Sequence, residues 1–238
     1  MWPILNDISL PTFEAYGRAQ GYDVLAVPIQ QDGSTPREAA AEAARWHKIN
    51  LIREALQLHP TVVWLDADTV VCREDEDIAL HVPAGNFQGF ALEQVPRYQR
   101  MHPNSGVWVM HQSDMSFAFL DAVQQAGKQP GPFADQGAIM KVLGWNMGDP
   151  IDHRGAKPGE GSPYLSATAW LPPGWNQPYL ERTEKAALYA DRPRVDDPHL
   201  IHFMGMDHQT RRIEMERLVM RMATRQIMAQ EDLSPVNN

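Results

Sequence analysis

Two acidic residues separated by a single alanine, Asp66 and Asp68, directly follow an apolar run from Thr61 to Leu65. Side chains two positions apart in an extended segment point to the same side, so both carboxylates can reach one ion. Carboxylates this close repel each other unless a cation or a proton lies between them, and hard divalent cations prefer oxygen ligands. The pair therefore predicts a metal site around Ala67, unless the two acids only end a strand and cap the next turn.

The apolar run indicates the element that positions these acids. It is continuous, β-branched and aromatic, which predicts a strand buried on both faces in the middle of a parallel sheet. A helix that starts at a capping box, Thr35 to Glu38, and ends before Pro60 precedes it. Tyr22 to Val27 predicts a short strand before that helix, so we expect a right-handed βαβ unit. Ligand-binding residues of open α/β sheets lie at the carboxyl ends of such strands.

Polar side chains at three other places could complete a ligand site. Lys48 lies on the predicted helix, where it is either solvated or contacts phosphates at the strand end. Asn104-Ser105-Gly106, a predicted turn before a strand, could present an amide and a hydroxyl to a polar ligand. Asp135 and Gln136 open a short helix behind a Pro-Gly-Pro loop, where Asp135 either caps the helix or, with Gln136, grips a sugar.

Aromatic and histidine side chains follow later in the chain. The proline-rich loop from Leu171 to Asn176 carries Trp175, and aromatic faces beside amides suit a carbohydrate site. The same aromatic residues could instead fill a small core under the loop. A late strand contains His199 and His202, one of which could join the acids around a metal, although a lone histidine is more often a satisfied core residue.

Composition narrows the class of protein. The 238 residues, 43% of them hydrophobic, suit one large domain with a real core. A net charge of −9 argues against a general nucleic-acid surface. The single cysteine, Cys72, allows no internal disulfide and fits a reducing compartment. No stretch approaches the ~18 apolar residues of a membrane span, and the N-terminus lacks a signal-peptide pattern, so we expect a soluble cytoplasmic protein.

A long helix is predicted over 207–231, with a packing face formed by Met215, Leu218, Val219 and Met222. Its methionines are either adaptable core filler or the contact of a homodimer, and the sequence leaves both interpretations open.

Six short motifs that contain these residues follow one another along the chain. They are Trp46-His47-Lys48-Ile49, Trp64-Leu65-Asp66-Ala67-Asp68, Asn104-Ser105-Gly106, Asp135-Gln136, Leu171-Pro172-Pro173-Gly174-Trp175-Asn176 and His202-Phe203-Met204-Gly205. The series resembles the GT-A glycosyltransferases, and most closely the family of yeast α-galactosyltransferases and plant xyloglucan xylosyltransferases. It implies an α/β, Rossmann-like nucleotide-diphospho-sugar transferase fold with a central, mostly parallel sheet flanked by helices and a long C-terminal helix.

The resemblance also implies how the chain is divided. Residues 1–206 would form the GT-A catalytic domain, with a nucleotide-sugar-binding part over about 1–110 and an acceptor-side part over about 111–206. Residues 207–238 would be a helix and tail that pack on the same domain.

The activity implied by the resemblance is metal-dependent transfer of a hexose or pentose, with retained anomeric configuration. The donor would be a nucleotide-diphosphate sugar, expected to be a UDP-sugar, and the acceptor a hydroxyl of a sugar-bearing or small molecule. Mn²⁺, or else Mg²⁺, would be held by Asp66, Asp68 and His202 and would neutralise the leaving UDP. The implied donor and metal contacts are Lys48, Asp66, Ala67, Asp68, Asn104, Ser105, Gly106 and Gly205.

The resemblance places further residues at the reacting sugar. Asn104 and Asp135 would hold donor-sugar hydroxyls. Gln136 would lie beside the anomeric carbon, where its dipole steadies an oxocarbenium-like transition state, so Gln136 and Asp135 are the expected catalytic residues. Trp175 and Asn176 would shape the acceptor side.

Two rival functions fit parts of the same pattern. A haloacid-dehalogenase-type phosphatase would use Asp66 as nucleophile and Asp68 as acid/base with Mg²⁺, but that motif usually opens the chain, whereas some 65 residues precede it here. A non-catalytic nucleotide-sugar or glycan binder would keep the fold and the ligands without the chemistry.

Overall fold

The computed structural model describes residues 4–28, 37–95, 100–130, 133–145, 162–180 and 194–232. A π-helical turn, Leu5–Ser9, runs directly into the first α-helix. The helices are α1 (Leu10–Gln20), α2 (Arg37–Leu58), α3 (Asp114–Ala126), α4 (Ala134–Leu143), α5 (Pro163–Ser166) and α6 (His208–Asp232). The strands are β1 (Thr61–Leu65), β2 (Thr69–Val71), β3 (Gln88–Val95), β4 (Arg100–His111), β5 (Thr168–Leu171), β6 (Gln177–Pro178) and β7 (Leu200–His202). Short 3-10 turns lie at Ile78–His81 and Pro173–Asn176.

The strands form two mixed sheets. One has the order β1-β4-β3-β5 and the other the order β2-β7-β6. The expected parallel pairing occurs between β3 and β5 and between β6 and β7. The other three pairs in the described part of the chain are antiparallel, so antiparallel pairs outnumber parallel ones here.

Several helix ends lie where local signals predict them. Helix α1 ends at Gly21 and α4 at Gly144, both in the left-handed conformation (φ 80° and 72°) that glycine adopts without strain. The Ser113 hydroxyl accepts from the Ser116 amide at 3.1 Å and caps α3. Helix α2 is confirmed as well, although Thr35 and Pro36 of its predicted capping box lie outside the described residues.

The strand predicted at Tyr22 to Val27 is wrong. This segment has no regular structure, and Leu25 is 79% exposed. A strand needs a neighbour to take its backbone hydrogen bonds, and in the described ranges no strand pairs with it. The predicted βαβ unit therefore does not form.

Strand β1 differs from its prediction in position but agrees in character. It lies at the edge of its sheet and pairs antiparallel with β4, rather than in the middle of a parallel sheet. Both faces are nevertheless packed, because two separate cores meet there. Val62 and Trp64 face the core that α2 contributes to, whereas Val63 and Leu65 pack with the core that contains Phe13. This explains an apolar run without alternation in an edge strand.

The turn predicted at Asn104-Ser105-Gly106 is also wrong, because these residues lie inside β4. The partner strand β3 shifts register between Phe90 and Ala91, which pair with Trp108 and Asn104 respectively. The irregularity, rather than a turn, lets the polar residues of β4 lie beside the acids.

The C-terminal helix α6 packs against the N-terminal segment and the strands of the second sheet. Met215 and Leu218 of α6 join a buried cluster with Ile4, Val70 and Phe203. Among the described residues, no helix has the length and apolar character needed to cross a membrane.

Candidate metal and ligand-binding site

Asp66 and Asp68 lie on the turn that links β1 to β2, where the chain passes from one sheet to the other. The Asp66 amide donates to the Gly106 carbonyl at 2.8 Å. The Asp66 carbonyl accepts from the amide and the hydroxyl of Thr69, at 3.1 and 2.8 Å. These bonds close the turn around Ala67 and hold both acids beside β4.

Strand pairing brings His202 next to these acids, although it lies 134 positions after Asp68 in the sequence. Strand β7 pairs with β2 so that His202 lies opposite Thr69, and the Phe203 amide donates to the Asp68 carbonyl at 2.8 Å. His202 Nε2 then lies 3.3 Å from Asp68 Oδ1. Ligand atoms of Asp66, Asp68 and His202 all lie within 4.8 Å of one another, and we call these three residues the acid–histidine group.

Gly106 leaves the space that this group occupies. A Cβ atom at residue 106 would meet His202 Cε1 at 2.4 Å and Asp66 Oδ2 at 3.0 Å. The side chains of the acid–histidine group therefore converge on a space that only glycine at this position leaves open. Two carboxylates and one imidazole are a donor set that fits a divalent cation such as Mn²⁺ or Mg²⁺.

The two oxygens of Asp66 have different surroundings. Oδ1 accepts from Trp64 Nε1 at 2.7 Å and lies 3.0 Å from Lys48 Nζ. Oδ2 is the oxygen on the Gly106 side, towards His202. The protein thus holds one carboxylate oxygen and directs the other to the acid–histidine group.

Lys48 is buried and joins several polar groups. Its ammonium donates to the Ser105 carbonyl at 2.9 Å and lies 3.3 Å from Asp135 Oδ2, in addition to its contact with Asp66. Burial by itself would lower the pKa of Lys48, but the two carboxylates hold the pKa above its ordinary value. Lys48 is therefore a charged link between the acid–histidine group and Asp135.

Asp68 and His202 shift each other's pKa. Burial would raise the pKa of Asp68, but His202 and then Arg211, 3.4 Å from Asp68 Oδ2, lower it. Burial would lower the pKa of His202, yet Asp68 raises it above its ordinary value. Arg211, on the first turn of α6, also donates to the Met206 carbonyl at 2.9 Å and so holds the helix start against Asp68.

Asn176 orients the imidazole of His202. It is fully buried, and its Oδ1 lies 2.8 Å from His202 Nδ1. An amide oxygen only accepts, so Nδ1 carries a hydrogen and Nε2 faces Asp68. This arrangement, a partner on the far side of a ligating imidazole, is typical of metal sites. The sequence singled out Asn176 for an acceptor site, and gave no signal for this contact.

A second set of polar residues, all buried except the partly exposed Gln136, lies beside the acid–histidine group. Asn104 Nδ2 donates to Glu93 Oε2 at 2.9 Å, and Gln136 contacts both Ser105 and His102. Glu93 and His102 are neighbours across β3 and β4 and were not singled out from the sequence. Only the strand register brings them together, so no local pattern could have identified them.

A cleft of about 1940 Å³ runs past both sets. The sequence-predicted residues that line it are Lys48, Asp66, Ala67, Asp68, Asn104, Ser105, Gly106, Asp135, Gln136, His202 and Gly205. Its other walls come from α1, α2, β1, the start of α6 and the 22–27 segment. The cleft has room for a ligand of nucleotide-sugar size, with acids, amides and an ammonium at one end.

Trp175 lies outside the cleft, in the hydrophobic core. Only 1% of its surface is exposed, and its ring stacks on His199 at 4.4 Å and meets Tyr16 edge-on at 5.9 Å. It belongs to the core beneath the proline-rich loop. Neither Trp175 nor Asn176 lies among the residues that line the cleft.

Cys72 is a free, partly buried cysteine. Burial raises the pKa of its thiol to about 12, so the reactive thiolate does not form near neutral pH.

Comparison with solved structures defines the class of fold. A glycosyltransferase involved in the glycosylation of the major capsid of PBCV-1 matches with a TM-score of 0.58 and 16% identity, over 90% of this chain and 93% of its own. At this identity the likeness concerns the fold, and it confirms the GT-A fold that the sequence resemblance implies.

Two further solved structures match less closely. Mouse xyloside xylosyltransferase 1 has a TM-score of 0.45 and 16% identity, over 85% of this chain and 73% of its own. The galactosyltransferase LgtC, in complex with donor and acceptor sugar analogs, has a TM-score of 0.43 and 14% identity, over 83% and 70%. No protein-family model and no curated protein matches the sequence. The fold assignment therefore rests on the first structure.

Proposed function

We propose that this protein is a metal-dependent glycosyltransferase that moves a hexose or pentose from a UDP-sugar to an acceptor hydroxyl, with retained anomeric configuration. The observation that carries the proposal is the acid–histidine group at the end of a large cleft in a GT-A fold. An acidic chain needs a cation there, because a diphosphate would otherwise meet three clustered carboxylates, Asp66, Asp68 and Asp135.

The proposed metal is Mn²⁺, with Mg²⁺ as the alternative, and its ligands are Asp66, Asp68 and His202. Bound there, the cation supplies Lewis-acid stabilisation of the charge that develops on the leaving diphosphate. Carboxylates and an imidazole suit Mn²⁺ better than Mg²⁺, which prefers oxygen ligands alone. Asn176 keeps the His202 imidazole in the orientation that presents Nε2 to the cation.

The chain's own side chains then bind and orient the donor. Lys48 offsets negative charge near the phosphates, and Ala67, Ser105, Gly106 and Gly205 provide the walls against which the donor lies. Asn104 and Asp135 bind hydroxyls of the donor sugar. Gln136 lies beside the anomeric carbon and stabilises positive charge there through its dipole, so that Gln136 and Asp135 are the proposed catalytic residues.

The proposal extends to the organisation of the chain. Residues 1–206 form the catalytic unit, with the donor side in about 1–110 and the acceptor side in about 111–206, and 207–238 completes it. Trp175 and Asn176 would shape the acceptor side only indirectly, since both are buried and neither lines the cleft. One cysteine in the whole chain fits a cytoplasmic location.

A homodimer through α6 is also proposed. Ile213, Met220 and Ile227 are exposed by 40, 61 and 58% and recur at intervals of seven residues, which aligns them along one face of the helix. Such a face is suited to a second copy of the same helix.

The rival functions have less support. A haloacid-dehalogenase-type phosphatase needs a different fold, and its nucleophile would be Asp66, whose Oδ1 is already bound by Trp64 and Lys48. A non-catalytic binder shares the fold and the ligands, so only a turnover measurement separates it from the proposed transferase.

A thermal-shift screen of nucleotide sugars, with and without Mn²⁺, tests the proposal. A ligand at about 100 times its Kd adds about 2.7 kcal/mol to the free energy of unfolding, which is readily detected. We expect stabilisation by UDP-sugars that depends on Mn²⁺, followed by release of UDP from the donor that stabilises most. Stabilisation without UDP release, even with a broad panel of acceptors, would indicate a binder.

Two variants refine this screen. Gln136→Ala is expected to slow turnover more than it weakens donor binding, and the reverse pattern would argue against its place at the reacting carbon. Asp121→Ala is the control, since Asp121 is a half-exposed partner of Arg53 that does not line the cleft, and it should behave as the unmodified protein.

A further inference from the structure

His102 is a buried imidazole that the proposed chemistry does not yet use. It lies on β4, two residues before Asn104, with 3% of its surface exposed, and its ring meets that of Phe133 at 5.1 Å. Its Nδ1 lies 3.2 Å from Gln136 Nε2 and 3.3 Å from the Pro103 carbonyl. Its Nε2 lies 3.9 Å from Glu93 Oε2. Both ring nitrogens therefore face polar groups.

The Ser105 amide decides which way the Gln136 side chain points. A backbone N–H can only donate, and it lies 3.2 Å from the side-chain end of Gln136. The carbonyl oxygen Oε1 must face this donor. The NH₂ group of the same side chain then faces His102 Nδ1, and an amide flip would place two donors against each other at Ser105.

This orientation also decides the tautomer of His102. An NH₂ group can only donate, so Nδ1 has to accept and carries no hydrogen. The ring hydrogen is then on Nε2, on the side of the Glu93 carboxylate. The Pro103 carbonyl alone would favour a hydrogen on Nδ1, but the Gln136 donor at 3.2 Å cannot face one. The Glu93 carboxylate is too far from Nε2, at 3.9 Å, for a hydrogen bond, but its negative charge also favours a hydrogen on Nε2.

We propose that His102 is a positioning residue for Gln136. With Oε1 bound to Ser105 and one Nε2 hydrogen bound to His102, the amide plane is fixed at both ends, and these contacts leave the second Nε2 hydrogen for a ligand in the cleft. The charge of Glu93, 3.9 Å from His102 Nε2, supports the arrangement by electrostatic attraction to a ring hydrogen on that nitrogen. The inference rests on the proposed function, in which Gln136 lies beside the reacting carbon of the donor.

Two substitutions separate positioning from packing. His102→Phe keeps a ring against Phe133 but removes the acceptor, whereas His102→Asn removes the ring but places an amide oxygen near the position of Nδ1. We expect His102→Phe to lower kcat about tenfold or more with KM for the donor little changed, because small misplacements of reacting groups are costly. We expect His102→Asn to recover most of that loss. Equal losses, or a larger loss in His102→Asn, would mean that the ring matters only for packing and would overturn the proposal.

His111→Phe is the matched control. His111 lies on the same strand and contacts Thr61 and the Val82 carbonyl, but it does not line the cleft. Its substitution should leave kcat unchanged. Thermal unfolding of each variant shows whether a loss of kcat reflects loss of folded protein.

The tautomer can be measured without any substrate. Long-range ¹⁵N–¹H correlation spectra of the unmodified protein, recorded with the imidazole neutral, should show the His102 hydrogen on Nε2. A hydrogen on Nδ1 would show that the Pro103 contact prevails and would overturn the proposal, whatever the enzyme assay gives. Absence of turnover with every nucleotide sugar, together with the Nε2 tautomer, would instead reject the proposed function and leave the His102–Gln136 contact standing.

Discussion

At the scale of single residues, the acid–histidine group depends on a neighbouring position without a side chain as much as on its own three residues. Gly106 is the clearest case, because any side chain there would occupy the space between Asp66 and His202. Interiors pack tightly enough that a single added methyl group displaces its neighbours. The site therefore requires glycine at residue 106.

The first prediction concerns this glycine. Gly106→Ala should weaken Mn²⁺ binding by about tenfold or more, because the new methyl group pushes the His202 imidazole and the Asp66 carboxylate apart. The measurement is a calorimetric Mn²⁺ titration in the presence of UDP. Gly174→Ala is the control, because the nearest atom to its Cβ would be at 3.6 Å, an ordinary contact. Equal affinity in the two variants would show that residue 106 does not shape the ligand group.

A second prediction follows from the raised pKa of His202. Coordination needs Nε2 without its hydrogen, and Asp68 stabilises the protonated ring, so Mn²⁺ competes with a proton that is held more tightly than usual. Mn²⁺ affinity should therefore fall as the pH is lowered through this raised pKa and level off above it. Titrations across the neutral range measure it. His202→Ala should bind weakly with little slope there, and a flat profile in the unmodified protein would contradict the assignment of His202 as a ligand.

At the scale of elements, two strands and a short turn assemble the group. The pairing of β2 with β7 brings His202 to Asp68, and the 3-10 turn Pro173–Asn176 places Asn176 behind the imidazole. Orientation of a ligating imidazole by a partner on its other nitrogen typically contributes about 10- to 100-fold to metal affinity.

Asn176→Ala should accordingly weaken Mn²⁺ binding by about tenfold, less than loss of His202 itself. Asn176→Asp keeps an oxygen acceptor for Nδ1 and should retain more affinity. Both are compared in the same Mn²⁺ titration. If Asn176→Ala binds as the unmodified protein does, the turn has no part in orienting the imidazole.

The helices and strands also show which features of the fold can be predicted from the sequence. The ends of α1, α3 and α4 follow local rules, because capping and left-handed glycine are effects of a few adjacent residues. Tyr22 to Val27 was misassigned because strand propensity is realised only beside a partner. The position of β1 at a sheet edge, and of Asn104-Ser105-Gly106 inside a strand, depend on pairing between distant segments.

The same division applies to the site. Asp66, Asp68 and Gln136 were identified because they stand in short motifs. Glu93 and His102 carry no such signal, since the β3–β4 register pairs them with each other and only the packing of α4 against β4 brings His102 to Gln136. For Trp175 the sequence left a carbohydrate site and a small core under the loop both open, and the fold of the loop against α1 places it in the core.

At the scale of the whole molecule, the cleft lies where α1, α2 and β1 approach the start of α6. Helix α6 therefore contributes to the site at its first turn, through Arg211, and presents an exposed apolar stripe further along. The proposed dimer would use that stripe without blocking the cleft.

A prediction about assembly follows. The unmodified protein should sediment as a dimer at micromolar concentration, and Met220→Glu should shift it towards monomer by placing a charge in the middle of the stripe. Gln124→Glu makes the same charge change on an exposed position of α3 and should have no effect. If the unmodified protein is monomeric at all concentrations, the dimer is ruled out.

The central claim is that Asp66, Asp68 and His202 hold one cation that binds the diphosphate of a donor. Its most direct test is the affinity for UDP with and without Mn²⁺, measured by calorimetry on Asp68→Ala and His202→Ala, with Asp121→Ala as control and circular dichroism to show that each variant is folded. We predict that Mn²⁺ strengthens UDP binding in the unmodified protein and in the control, and that this gain falls by at least about tenfold in both site variants. An undiminished Mn²⁺-dependent gain in both would contradict the account.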